Sequence, residues 1–262
     1  MLKRLRVSRS SLRRVAAHTS FIHDRLLKSF LVLSLLAALI HGFSILFLPH
    51  TSPSTPSPLA FITMFTSLIY VIAMIYVVSS MAQDLRDRTA ELYLSQPLTR
   101  IEYAFSWLIT SVVTPSLVYL SAVALPVAIL DPHLLLSFGF EELGYLVVEG
   151  LFAGSLAFIT AVLTRSRGLT FFIGLFWLLV LPFVLMMGVA VLSFSSMGSH
   201  QSPAAKTLLS VFAVLYPYKF YLMSASSLPA SITPFQAVVI SFSISVLFLA
   251  ASLQYVRYRL EV

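Results

Sequence analysis

Cysteine is absent from the 262 residues. That excludes disulfides, thiolate metal sites, iron–sulfur clusters and thiol nucleophiles together. Charge is scarce too: Asp, Glu, Lys and Arg make up 10% of the chain, against roughly a quarter in soluble domains. Lysine occurs only at positions 3, 28, 206 and 219, and no glycine-rich loop ends in Gly-Lys-Ser/Thr. The chain therefore lacks the groups by which a P-loop grips nucleotide phosphates. The histidines (18, 23, 41, 50, 133 and 200) form no His-Glu-x-x-His and no cluster at metal-ligand spacing. Nor do paired histidines within an apolar run offer axial haem ligands, and no serine has an evident histidine and carboxylate beside it. The expectation is a chain with no catalytic, metal or cofactor-binding residue of its own.

What remains is apolar. Hydrophobic residues are 58% of the sequence and mean hydropathy is +0.93. A water-soluble fold has no place to bury so much, so lipid is the expected solvent. The predicted fold is all-α: a polytopic bundle of about six transmembrane helices forming a single domain over 1–262. Spans are expected at 29–48, 59–82, 104–130, 143–163, 169–194 and 235–256, each near the roughly 20 residues a bilayer requires. Residues 1–28 alternate Leu5, Leu12, Val15, Ile22 and Leu26 with six arginines, the pattern of an amphipathic helix at the cytoplasmic interface. They do not read as a cleaved leader, because the stretch before the apolar run is too long. Residues 207–221 are apolar but too short to span, and predict an outer or re-entrant helix before the last span. Prolines 115, 126 and 182 fall inside spans and predict kinks or hinges. No repeat relates the two halves.

The net charge of +7 is a topology signal. Fifteen of the seventeen Lys and Arg residues fall in 1–28, 83–103, 164–168 and the tail; only Lys206 and Lys219 fall on the other side. By the positive-inside rule both termini are cytoplasmic, in the cell membrane. The basic residues then meet lipid headgroups, and no nucleic-acid partner is expected.

The 83–103 loop is the informative segment. Asp84, Arg86, Asp87, Arg88 and Glu91 alternate in sign and suit a short helix at the membrane surface. Pro97 ends it, since proline removes a donor and restricts the preceding residue. Thr99 and Glu102 stand at the spacing of a capping box, which predicts a new helix entering the third span. On these grounds the segment is either a polar connector or a rigid docking elbow.

The run Thr89-Ala90-Glu91-Leu92-Tyr93-Leu94-Ser95-Gln96-Pro97-Leu98-Thr99-Arg100-Ile101-Glu102 resembles the cytoplasmic segment of the type-2 ABC transporter permeases. That segment has an acidic start, Gly-Thr-Leu-Glu-Leu-Leu-Leu-Ser-x-Pro, a hydrophobic residue, Ser or Thr, and Arg. Thr89, Glu91, Leu92, Leu94, Ser95, Pro97, Thr99 and Arg100 match, and Asp84 stands for the acidic start. Arg88 replaces a glycine and Tyr93 a leucine. The layout of basic helix, six spans and short outer helix is similar over the whole chain. The resemblance implies a permease subunit, an exporter, paired with a second permease subunit as homo- or heterodimer and with separate ABC ATPase subunits that bind ATP and Mg. It also implies a coupling helix on Asp84–Glu91, with Ser95–Arg100 as its supporting turn. A non-transporting assembly or scaffold subunit is the alternative, and an intramembrane enzyme or channel a further one.

Three intramembrane features complete the reading. Glu149 lies about 9–10 Å inside the outer end of the fourth span at the helical rise, as either a paired structural carboxylate or a group on the translocation path. His41 in the first span has either a packing or helix-bonding role or a place on the same translocation path. Gly150 and Gly154 form a GxxxG, expected to pack helices within the bundle, with dimerisation as the alternative.

Overall fold

The computed structural model describes residues 9–47, 58–87, 98–130, 139–194, 203–224 and 231–259. Helices dominate and no strand occurs among the described residues. Five helices are long and apolar enough to cross a membrane: Phe65–Arg86, Arg100–Leu130, Leu143–Thr164, Arg167–Leu192 and Pro234–Tyr258. The chain is a multi-pass, all-α membrane protein.

The first helix, α1, runs from Arg9 to Phe47 without interruption. The surface helix and first span expected from the sequence are thus one element, because no proline or glycine lies between Arg9 and His41 to part them. At 1.5 Å per residue, its 39 residues extend about 58 Å, well beyond the roughly 30 Å hydrocarbon layer. Its apolar part is Leu31–Leu46. The helix α2 spans Pro58–Arg86. The third, α3, spans Arg100–Leu130 and runs parallel to α1: Arg14 meets Glu102 near one end, and Gly42 faces Leu130 near the other.

Helix α4 is Gly139–Thr164. The fifth, α5, runs from Arg167 through Leu175 and on from Leu181 to Phe194. Two short helices follow, α6 at Pro203–Leu215 and α7 at Pro217–Ser224, then α8 at Pro234–Arg259. The apolar stretch 207–221 expected as one outer or re-entrant helix is thus divided, because Pro217 lacks an N–H and restricts Tyr216.

Two membrane helices contain a π turn, at Ile109–Val113 in α3 and Phe176–Val180 in α5. In each, an N–H reaches back five residues: Thr114 to Ile109 O, and Leu181 to Phe176 O. Each turn ends just before a proline, Pro115 or Pro182. Proline frees a carbonyl one turn back and crowds it, and the wider turn gives that backbone room. The kinks expected from proline take this form at two of the three sites; Pro126 sits within α-helix.

The core centres on α2 and α4. Helix α4 packs against α2, α5, α7 and α8, while α1 lies along α3. Met74, Ile75, Val78 and Met81 of α2 meet Val112 of α3 and Phe158 and Ala161 of α4, all fully buried. The apolar surfaces of α1, α5 and α8 remain exposed, among them Leu35, Phe43, Phe172, Phe183 and Leu247, as helices facing lipid do.

The GxxxG lies inside this packing. A Cβ on Gly154 would approach Val112 to 2.8 Å and the Met74 sulfur to 3.1 Å, whereas one on Gly150 meets nothing within 4 Å. Val112 is β-branched and stiff at χ1, so it cannot swing aside. Gly154→Ala is expected to destabilise the protein by about 1–3 kcal/mol through overpacking, and Gly150→Ala to leave stability unchanged or slightly raised. Thermal unfolding in detergent tests this; equal effects at the two positions would contradict the packing.

Candidate functional site: the charged elbow and its clamp

The elbow starts where α2 ends. Asp84 is buried, while Arg86 and Asp87 are exposed. Asp87 still takes a helical hydrogen bond, its N–H donating to Gln83 O at 2.9 Å. Of the predicted coupling residues, Arg88, Thr89, Glu91, Ser95 and Pro97 lie outside the described residues. The chain is described again at Leu98, and α3 begins at Arg100, itself half-buried.

Thr99 and Glu102 form the capping box that their spacing predicts. The Glu102 N–H donates to Thr99 Oγ1 at 3.3 Å, and the Thr99 N–H donates to Glu102 Oε2 at 2.9 Å. Two N–H groups that the helix cannot satisfy are thereby paired, and a carboxylate sits at the positive end of the helix dipole.

Glu102 has a second task. Its side chain also accepts from Arg14 of α1, through Nη2 at 2.7 Å and Nε at 3.3 Å, and from the Ser11 hydroxyl. One buried carboxylate therefore holds the start of α3 and a long helix some 88 residues earlier in sequence. The hydrogen bond to Glu102 raises the Arg14 pKa further above its ordinary value, so the pair is charged at any physiological pH. One turn further on, the Ser106 hydroxyl approaches Val15 O at 3.4 Å. His18 stacks obliquely on Tyr103, 5.4 Å between centroids. Burial holds that imidazole below its ordinary pKa, hence neutral at pH 7.

The neighbouring connection is tied to the same end of the bundle. Between α4 and α5, Arg165 adopts a left-handed conformation (φ 48°), and the Ser166 side chain caps α5 by accepting from the Leu169 N–H. Arg167 then donates to Gln83 Oε1 at 2.8 Å and lies over the Tyr76 ring at 4.9 Å. Side chains thus link the start of α3 to α1, and the α4–α5 turn to the end of α2.

Glu149, at the far end of α4, is paired. Lys219 donates to its Oε1, and the backbone N–H groups of Tyr218 and Lys219 donate to Oε2 at 3.0 and 3.3 Å. The carboxylate thus neutralises an ammonium and caps α7 at once. His41 is likewise committed: Nδ1 lies 2.7 Å from Ala37 O and Nε2 lies 3.2 Å from Thr63 Oγ1. Among the described residues no three His, Asp or Glu side chains converge to hold a metal.

From sequence, Arg14 enters only as an orientation charge and Lys219 only as part of an aromatic cluster. A usable signal exists for Lys219: a carboxylate at membrane depth requires a cation, and its side of the membrane offers only positions 206 and 219. No comparable signal leads from Glu102 to Arg14, because eight basic residues crowd the first 28.

The sequence matches no protein-family model and no curated protein.

Proposed function

We propose that this chain is the transmembrane permease subunit of an ATP-driven ABC-type exporter, working with a second permease subunit and with separate ATPase subunits docked on the elbow. The observation that carries the reading is Glu102. The residues that resemble a permease coupling segment end in a capping box whose carboxylate is bonded to α1 as well as to its own helix. A push on the elbow would therefore reach two long parallel helices together, the behaviour a lever needs. The π turn of α3, Ile109–Val113, lies about two turns beyond Glu102 and supplies a place where the spans can bend. Fifteen of the seventeen basic residues lie in the segments that form this end or continue from it, so we assign it to the cytoplasm, where ATP is.

Docking falls on Arg86 and Asp87, the exposed charges of the described part, rather than on buried Asp84. Purification in mild detergent is expected to retain an ATPase with the wild type and to lose it with an Arg86→Glu/Asp87→Lys double variant of unchanged thermal stability. An ATPase held equally by both would remove the elbow from the interface. No ATPase with either would favour the assembly-subunit alternative.

A further inference from the structure

Helix α5 leaves α-helical bonding at one point, and a side chain from outside the helix meets it there. In an α-helix the Leu181 N–H would donate to Trp177 O; in the π turn it donates to Phe176 O instead. The next residue, Pro182, has no N–H to offer. Trp177 O has thus lost its ordinary donor within the helix. The Tyr216 hydroxyl supplies one, donating to Trp177 O from 39 residues further along the chain. Tyr216 is fully buried and its ring stacks on Trp177, 4.8 Å between centroids. The hydroxyl is therefore held at that carbonyl by packing.

Proline alone does not impose such a turn, since Pro126 sits within α-helix. Nor do neighbours enclose this one: Trp177 and Leu178 are buried, but Phe176, Leu179 and Val180 are exposed. The π turn of α3 is held differently. No side chain among the described residues donates to its corresponding carbonyl, Thr110 O. Instead Val112, fully buried, is seated against Gly154 of α4, so packing keeps that turn in place.

We infer that Tyr216 is a latch on the backbone register of α5, operated by α7. With the hydroxyl engaged, Trp177 O is paired and the π turn is stable. With the hydroxyl withdrawn, that carbonyl is unpaired in apolar surroundings, where no bulk water relieves it. The Leu181 N–H is the helix's own group that can pair it, and doing so restores the α-helical turn. The element thus has two discrete arrangements rather than a continuous range. Helix α7 commands it because Tyr216 begins that helix: the Phe220 N–H donates to Tyr216 O at 2.9 Å. Lys219 Nζ also lies 5.0 Å from the Tyr216 ring centroid while paired with Glu149. Loss of the extra residue from the turn re-aims everything beyond it by about one residue's step, roughly 100°. Leu181–Phe194 is apolar except for Ser193, so its rotation brings no charge to the lipid. The inference concerns backbone register and does not depend on the transporter reading.

The chain contains no cysteine, so spin labels can be placed at chosen positions alone. Phe65 of α2, Phe172 before the π turn and Val191 after it are all exposed. In the full chain in nanodiscs, pulsed electron resonance reads the distance across the turn in Phe65→Cys/Val191→Cys, with Phe65→Cys/Phe172→Cys as control. Tyr216→Phe keeps the stacked ring and removes only the donor. Loss of one buried hydrogen bond moves a two-state ratio about tenfold. A second distance across the turn, displaced by up to about 8 Å for a label at the helix surface, is therefore expected to gain about tenfold in population over the wild type. The control distance should stay unchanged. The same second distance is expected in Glu149→Leu/Lys219→Met, which keeps the hydroxyl but frees α7. A wild-type distribution in Tyr216→Phe would overturn the latch, and one in the Glu149→Leu/Lys219→Met variant would overturn its control by α7. Equal movement of both distances in Tyr216→Phe would mean general loosening and overturn the inference as well.

Discussion

Glu149→Ala is expected to destabilise the protein by about 3–5 kcal/mol, because removing one partner of a buried ion pair leaves the other charge without compensation. Both side chains of the Glu149–Lys219 pair are largely buried. Their link also orients α7, whose first N–H groups lose their acceptor in the same substitution. The surroundings amplify the effect. Tyr216, just before α7, is fully buried, stacks on Trp177 at 4.8 Å and donates its hydroxyl to Trp177 O. Trp177 stacks in turn on Phe152 of α4 at 5.6 Å. Loosening α7 therefore loosens α5 against α4. Glu149→Gln keeps an acceptor for the N–H groups and is expected to lose less. A Glu149→Leu/Lys219→Met double variant should recover most of the stability lost by either single change, as apolar replacement of a whole buried pair commonly does. Thermal unfolding in detergent reads all three against the wild type. A wild-type melting temperature for Glu149→Ala would show that the pair has no structural role and return Glu149 to the translocation-path reading, in which Glu149→Gln should impair transport without changing stability.

The second large effect is expected at Glu102 and is functional. Glu102→Ala removes the carboxylate that bonds Thr99, Arg14 and Ser11 together. If the elbow transmits force to α1 and α3 through this carboxylate, Glu102→Ala should retain bound ATPase yet lose most of its ATP-driven transport. Glu102→Gln should fall between the two, since an amide keeps hydrogen bonds but not the charge-assisted contact with Arg14. Arg14→Ala removes the ion pair with α1 but keeps the Ser11 hydrogen bond and the capping box, so its defect should be the smaller. Measuring ATPase co-purification and transport on the same reconstituted sample separates docking from transmission. Loss of bound ATPase in Glu102→Ala would place the residue in docking instead.

Local signals carried much of this molecule, and contacts between distant segments did not. Five of the six expected spans are legible because apolar length alone defines them, while the apolar part of α1, Leu31–Leu46, is shorter; the capping box is legible because Thr99 and Glu102 interact three residues apart. Proline positions announce irregular helix, but whether the backbone answers with a π turn, as before Pro115 and Pro182, or stays α-helical, as at Pro126, depends on packing. The surface helix and first span are one helix rather than two for a related reason: amphipathicity changes near residue 28 while backbone propensity does not, and the backbone follows propensity. For Gly150 and Gly154 the motif predicts close approach, but only the fold shows that Gly154 alone is pressed by a neighbour. Asp84 shows the limit of reading charge as surface, since it is buried among the residues that end α2. The pairing of Glu102 with Arg14 and of Glu149 with Lys219 joins residues about 70 to 90 positions apart, beyond the reach of periodicity or spacing.

The most direct test of the central claim places a photocrosslinking amino acid at Asp87, which is exposed at the end of α2, and irradiates membranes of the native host. The account predicts one dominant crosslinked product, containing a nucleotide-binding ATPase, with a yield that changes when ATP is trapped without hydrolysis. Crosslinks to lipid alone, or to partners that bind no nucleotide, would contradict it.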